Sequence, residues 1–490
     1  MSATPLPIRL DGDGPLYRQL DRALRGASLG GRLGEGSRLP ASRELAQSLG
    51  LSRNVVLAAY SQLTAEGYLE GSAGRGTFVA SPLPESLLNA APSGDRGDDR
   101  EPAGPPQVSD FALAAQSLRQ REGIGLGPRQ PFHHDFSYGE VAPDERCREE
   151  WRRLLGRAMR RASTDYSPPE GLPALREAIA DYLRRVRGCR CSADQIIVVN
   201  GSQQALDLIA RALLHSGDRV AIENPSYRGA RHAFSAAGHR LCPIAVDADG
   251  IDVAALEALK QPPRLCYTTP SHQFPTGAVL SLPRRLALLD WARRHHAWLL
   301  EDDYDSEFRY DGPPLQAMQG LDDGGRVLYV GTFSRALFPA LRLGYLLLPE
   351  ALVEPLRAVR WLVDRHSPTL SQQVLAQFIA EGCLDRQLRR MRKRYGERRK
   401  RLVAALREQF GERLQVRGSN AGIHLLAGFA DLSAGELESR AERARAAGVG
   451  VYSTRQMHLG DDPDPGLMLG YARLPEERID AAVAALFRCL

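Results

Sequence analysis

Gly331-Thr332-Phe333-Ser334-Arg335-Ala336-Leu337-Phe338-Pro339-Ala340-Leu341-Arg342-Leu343-Gly344-Tyr345 is the stretch on which the reading of this chain turns. It leaves the apolar run Arg326–Gly331, one of a series that also includes Gln195–Asn200, Arg219–Glu223, Arg264–Thr268 and Trp298–Asp302. From about Phe132 to the C terminus these strand-like runs alternate with amphipathic helices, the pattern of a mostly parallel α/β sheet. Arg335 stands in the middle of the stretch. A guanidinium stays protonated at any working pH and is a poor nucleophile, so Arg335 supplies charge and hydrogen bonds and no covalent chemistry.

Outward from this stretch, the bulk properties set limits. The chain has 490 residues, more than one ordinary domain, with 43% apolar and 25% charged residues, as in globular proteins that need no membrane. Its net charge of +5 permits nucleic-acid binding without arguing for it. Lysine occurs only at Lys260, Lys393 and Lys400. The seven cysteines, Cys147, Cys189, Cys191, Cys242, Cys266, Cys383 and Cys489, are scattered and odd in number. They read as free thiols of a reducing cytoplasm, and the lone Cys189/Cys191 pair lacks the second ligand pair that zinc sites show, so no metal is expected. No apolar run approaches a membrane span.

Three zones follow. Residues 12–80 form a compact patterned unit, residues 81–130 a flexible linker, and residues 131–490 the α/β unit. The linker is rich in Pro, Gly, Ser, Asp and Arg, as in Pro102-Ala103-Gly104-Pro105-Pro106, and cannot bury enough apolar surface to fold alone. Phe111 to Leu118 is a short helix candidate within it. In the first unit Leu16–Leu29 has helical periodicity. Ser42 is expected to cap a short helix ended by Gly50, and Ser52 to cap a second helix, Arg53 to Glu66, with Val55, Val56, Ala59, Tyr60 and Leu63 on one face. Tyr68–Gly71 and Gly76–Val79 then read as strands around Ser72-Ala73-Gly74-Arg75. Helix, tight turn, helix and hairpin make a winged helix-turn-helix. Arg38, Arg43, Arg53 and Arg75 fall near helix starts or the wing tip. There, with the Ser42 and Ser52 hydroxyls, they suit phosphate contacts. Arg53 and Asn54 open the helix that would meet base edges in the major groove.

These residues resemble a GntR-type DNA-binding domain almost throughout: Arg38-Leu39-Pro40-Ala41-Ser42-Arg43-Glu44-Leu45-Ala46, Leu51-Ser52-Arg53-Asn54-Val55-Val56, Ala65-Glu66-Gly67-Tyr68-Leu69 and Gly74-Arg75-Gly76-Thr77-Phe78-Val79. The α/β unit resembles fold-type I aminotransferase-like proteins that use pyridoxal 5'-phosphate (PLP), with a smaller α+β subdomain. The resemblance rests on Tyr166 with Gly171, Leu175 and Arg176, and on Gly201-Ser202-Gln203-Gln204. It rests further on Glu223-Asn224-Pro225-Ser226-Tyr227, Pro270-Ser271-His272-Gln273-Phe274-Pro275-Thr276-Gly277, Glu301-Asp302-Asp303-Tyr304 and the opening stretch.

The resemblance implies roles. Tyr166 would reach the phosphate of the partner subunit. Ser202 and Gln203 would start a helix whose free N–H groups cradle the phosphate. Tyr227 would stack on the pyridine ring, Asp302 would pair with the ring N–H, and Tyr304 would approach the ring hydroxyl. Thr332, Ser334 and Arg342 would hold phosphate. Phe274 replaces the asparagine that usually bonds the ring hydroxyl, leaving His272 or Gln273 to approach it. Arg455 is the candidate for an effector carboxylate, and Arg473 is second. Together the units resemble the MocR/PdxR subfamily of GntR-type transcription regulators. That implies a cytoplasmic homodimer on a double-stranded DNA operator, sensing PLP or an amino compound. Arg335 departs from the pattern, because the family has there the lysine that forms the Schiff base. Three readings stand: a regulator that binds PLP without a covalent bond and has no catalytic activity, a regulator that has lost PLP and only dimerises or binds another ligand, and an aminotransferase with a DNA-binding appendage.

Overall fold

The structure is a computed structural model that describes residues 6, 8–72, 75–85, 107–121, 132–139, 141, 143–160, 165–312, 315–460 and 466–490. The chain divides into two compact units, Met1–Gln107 and Val108–Leu490. Most of the expected linker, 86–106 and 122–130, lies outside the described residues, as do Ala73 and Gly74 of the wing tip.

The first unit contains α1 (Leu16–Leu29), α2 (Ser42–Leu49), α3 (Arg53–Ala65), β1 (Leu69–Ser72) and β2 (Gly76–Val79). Leu20, Leu24, Leu45, Val56, Ala59 and Leu63 meet in its core. Fully burying a leucine or valine side chain contributes about 1.5–3 kcal/mol, so this apolar stripe holds the three short helices together. Ser52 caps α3, its hydroxyl accepting the Val55 N–H at 3.3 Å. The expected cap of α2 differs. Ala41 is the capping residue, the Glu44 carboxylate accepts the Ala41 N–H at 3.2 Å, and Ser42 is the first helical residue. The acid in the first turn, rather than the hydroxyl, sets that helix start. Gly50 ends α2 in the left-handed conformation at φ 65°. The hairpin pairs Leu69 with Val79 and Ser72 with Gly76.

The second unit begins with α4 (Asp110–Arg121), so the helix suspected within the linker packs with this unit, against α7 named below. There follow α5 (Pro173–Arg187), β3 (Ile196–Val199), α6 (Ser202–Leu213), β4 (Arg219–Asn224), α7 (Arg228–Ala236), β5 (Arg240–Asp247), β6 (Gly250–Ile251), β7 (Leu265–Thr268), α8 (Leu282–Arg294), β8 (Trp298–Asp303), β9 (Val327–Thr332) and β10 (Gly344–Leu347). Among the described residues these strands form one eight-stranded sheet in the order β3-β10-β9-β8-β7-β4-β5-β6. Neighbours from β9 through β5 run parallel, and β10 runs antiparallel to both β9 and β3. The five expected strands are all present, while β10, which closes the opening stretch, was not anticipated as a strand.

The subdomain follows: α9 (Cys383–Phe410), then β11 (Leu414–Arg417), β12 (His424–Phe429), β13 (Tyr452–Ser453) and β14 (Gly466–Gly470) in an antiparallel sheet ordered β11-β12-β14-β13. Among the described residues no helix is long and apolar enough to cross a membrane.

Candidate functional site

The sheet gathers polar side chains at the C-terminal ends of β7, β8 and β9, beside the N-terminus of α6. They line a cavity of about 220 Å³ with Tyr138, Ser202, Tyr227, Tyr267, Thr269, Phe274, Asp302, Tyr304, Thr332, Ser334, Arg335, Pro339 and Arg342 in its wall. Pockets for drug-sized ligands measure roughly 300–1,000 Å³, so this cavity suits one ring with short substituents.

Asp302 lies near the end of β8 and is 5% exposed. Its Oδ2 accepts the Tyr267 hydroxyl at 2.8 Å, and its Oδ1 has no hydrogen-bond partner among the described residues. Burial raises its pKa to about 7, against the Tyr267 hydrogen bond, with Asp303 and Glu223 adding to the rise. The folded state therefore binds this proton more tightly than the unfolded chain. The stability contributed by proton binding is complete below about pH 4 and is lost as pH rises toward 7. We expect the ligand-free protein to lose on the order of a few kcal/mol over that window from this group alone. Denaturant titrations at pH 4.5 and 7.5 test this: Asp302→Asn should lose less stability between the two pH values than the parent, and an equal loss refutes the assignment.

At the other end of the cavity, Arg342 sits in the left-handed region (φ 51°) after the turn Pro339–Leu341 and donates to the Asn200 carbonyl at 2.9 Å. Gly201, at φ 91°, leaves room for it, since a Cβ there would come 2.9 Å from Arg342 Nη2. The guanidinium thus lies beside the first turn of α6, where free N–H groups and Ser202 also favour an anion. The Thr332 hydroxyl donates to Ser334 Oγ at 3.0 Å and accepts the Ser334 N–H at 3.1 Å, which fixes the turn that carries Arg335.

The aromatic wall is built around Phe274, whose ring meets those of Tyr138, Tyr227 and Tyr304 at 5.6, 5.9 and 5.8 Å. Behind it, His272 Nδ1 lies 3.0 Å from both Asp305 Oδ2 and Tyr304 Oη. Burial disfavours a charged His272, but the Asp305 carboxylate outweighs it and holds its pKa above the usual value. Burial raises the Tyr304 pKa, with Asp305 adding, so Tyr304 is a neutral phenol. His424 is kept neutral by burial and by the neighbouring His272. His272, Asp305 and His424 bring three ligand-type atoms within 4.8 Å. His272 Nε2 and His424 Nε2 already face the Gly418 and Pro275 carbonyls.

Several sequence expectations place differently. His272 does not line the cavity but supports Tyr304 from behind. Gln273 is spent on structure, donating to Glu223, the Pro225 carbonyl and the Phe274 carbonyl. Gln203 donates to the Gly229 carbonyl and faces a second cavity of about 540 Å³ beside α4 and α7. Tyr166 is 90% exposed, with its ring 5.9 Å from that of His366, and lines no wall of its own chain's cavity. Arg455 is exposed and outside the cavity wall. Tyr138, Tyr267 and Thr269 were missed. Lys260, Lys393 and Lys400 are all exposed, and none lines the cavity.

In the first unit Arg38, Arg43, Ser52, Arg53, Asn54 and Arg75 are exposed. Arg53 Nε donates to Ser42 Oγ at 3.4 Å, which joins the starts of α2 and α3. Arg38 lies against the wing strand, where a Cβ on Gly76 would come 3.0 Å from its Nε.

Comparison with known proteins agrees with both halves. Residues 16–79 match the gntR family of bacterial regulatory proteins, and residues 135–486 match aminotransferase class I and II. The probable rhizopine catabolism regulatory protein MocR of Rhizobium meliloti is 39% identical, over 98% of this chain and 95% of its own length. The HTH-type pyridoxine biosynthesis transcriptional regulator PdxR of Corynebacterium glutamicum is 31% identical, over 98% of each. The kynurenine aminotransferase of Pyrococcus horikoshii, solved with PMP, superposes with a TM-score of 0.71 at 26% identity, covering 78% of this chain and 96% of that one. With a gntR-type winged helix-turn-helix and an aminotransferase class I and II domain in one polypeptide, the chain belongs to the MocR/PdxR family of HTH-type transcriptional regulators.

Proposed function

We propose that this regulator binds PLP, or a related amino compound, in the cavity of its aminotransferase-like domain without a covalent bond, and that binding alters its hold on an operator. The observation that carries the reading is Asp302 Oδ1, buried in the cavity wall with no hydrogen-bond partner among the described residues. A pyridine N–H is the group that satisfies such a carboxylate, and when bound the cofactor would supply an electron-accepting ring. Ser202, Thr332, Ser334 and Arg342 would hold its phosphate, Tyr227 would pack on the ring, and Tyr304, steadied by His272, would donate to the ring hydroxyl. Arg335 cannot take lysine's part, because a nucleophilic amine must lose its proton and a guanidinium keeps it. With every lysine exposed and away from the cavity, no other amine substitutes. The domain therefore binds and responds but does not turn over.

A homodimer belongs to the same reading. Trp361 and Leu362 are 45% and 74% exposed, a few residues from the His366 that Tyr166 touches, so a second copy would cover them and Tyr166 could reach its phosphate site. Two winged helices would then read two half-sites in the cytoplasm. On the DNA, Arg53 and Asn54 at the start of α3 read base edges, while Arg38, Arg43, Arg75 and the Ser42 and Ser52 hydroxyls contact phosphates. Arg53→Ala should weaken binding to an operator selected from random duplexes by about 1–3 kcal/mol and relax the preference at one base pair per half-site. Unchanged affinity and preference in a gel-shift titration refute its role.

A further inference from the structure

Arg335 is more than a missing lysine. Its guanidinium lies against the backbone of Gly139, where a Cβ would come 2.5 Å from Nη2; Gly139 has φ 81°, a second reason for glycine there. Among the described residues it has no hydrogen-bond or ion-pair partner. The acid that acts most strongly on its charge, Asp305, is already engaged by His272 at 3.0 Å. The cavity wall thus carries two guanidiniums, Arg335 and Arg342, against a single carboxylate, Asp302. Its charge is complementary to a ligand with two anionic groups. A phosphate beside α6 would answer Arg342, and no carboxylate among the described residues pairs with Arg335.

We propose that Arg335 is an anion-binding, specificity-determining residue, and that the site takes a phosphorylated pyridine bearing a carboxylate at the carbon where PLP bears its aldehyde. The inference rests on the reading of this cavity as a PLP-type site, in which position 335 faces that carbon. A planar guanidinium matches a carboxylate with two parallel N–H···O bonds, which an aldehyde oxygen cannot equal. The amine form of the cofactor places an ammonium there, and like charges at about 4 Å repel.

The test is calorimetric titration of the full-length protein with PLP, its amine form and the analogue whose aldehyde is oxidised to a carboxylate. The carboxylate analogue should bind roughly 10- to 100-fold tighter than PLP, in line with a charge-assisted hydrogen-bonded pair, and the amine form should bind weakest. Arg335→Gln, checked for folding by circular dichroism, should compress the three affinities to within a few fold. Arg335→Lys, whose amine can lose its proton and bond the PLP aldehyde, should reverse the order, so that PLP binds tighter than the carboxylate analogue. If PLP binds but the carboxylate analogue binds no tighter, or if Arg335→Gln keeps the preference, this inference falls and the proposed function stands. If none of the three ligands binds, both fall.

Discussion

Arg335→Lys should convert the site from one that holds PLP reversibly into one that holds it covalently. In the parent protein, incubation with PLP followed by borohydride should leave no cofactor on the peptide containing position 335, and gel filtration should strip the ligand. In the variant, the reduced peptide should carry the cofactor mass, and an absorption band absent from the parent should appear. The physical reason is that lysine can lose its proton in a pocket of this kind and arginine cannot. The frame for such a lysine is intact. The Thr332–Ser334 hydrogen bonds fix the turn, Asp302 Oδ1 has no hydrogen-bond partner among the described residues, and Arg342 stands at the first turn of α6. A parent protein that carries a reducible adduct would refute the non-covalent reading. A variant that binds PLP and forms no adduct would mean that the turn does not present position 335 to the aldehyde.

Salt should weaken DNA binding by about a thousandfold between 50 and 200 mM. In the proposed dimer, Arg38, Arg43 and Arg75 of two copies give about six phosphate contacts. The slope of log K against log salt is then roughly −5. All three arginines are exposed, so none must break an internal contact of the core to reach the backbone. Arg43→Ala should reduce the slope by about 2, one contact per copy, and weaken every duplex alike. Arg53→Ala should instead change which sequences bind. A slope near zero would remove the phosphate-contact account of this unit.

The two units were legible in the sequence to different depths. Ser52 with its apolar stripe, and Gly50 at the end of α2, marked the winged helix-turn-helix nearly to the residue, because local capping and periodicity decide those elements. The parallel strands were legible as apolar runs. β10 was not, because a four-residue strand wedged antiparallel between β9 and β3 is specified by its neighbours and not by its own pattern. In the site, Asp302, Tyr227, Tyr304, Ser202, Thr332, Ser334, Arg335 and Arg342 do meet in one cavity. The resemblance, with Phe274 in place of the asparagine, left His272 or Gln273 to approach the ring hydroxyl. Their side chains turn away because buried Asp305 and Glu223 need partners more than the cavity does. Tyr138 was missed because its position depends on packing against Phe274, more than a hundred residues along the chain.

The central claim is that a cavity without a catalytic lysine still reports on a PLP-type ligand to the DNA-binding unit. The most direct measurement is the affinity of the full-length protein for an operator selected from random duplexes, titrated with PLP and with its carboxylate analogue. The account predicts a shift in operator affinity that saturates with ligand, is reversed by dialysis, and is lost when Asp302 and Arg342 are both replaced by alanine. Operator binding that is indifferent to saturating concentrations of both ligands would contradict it.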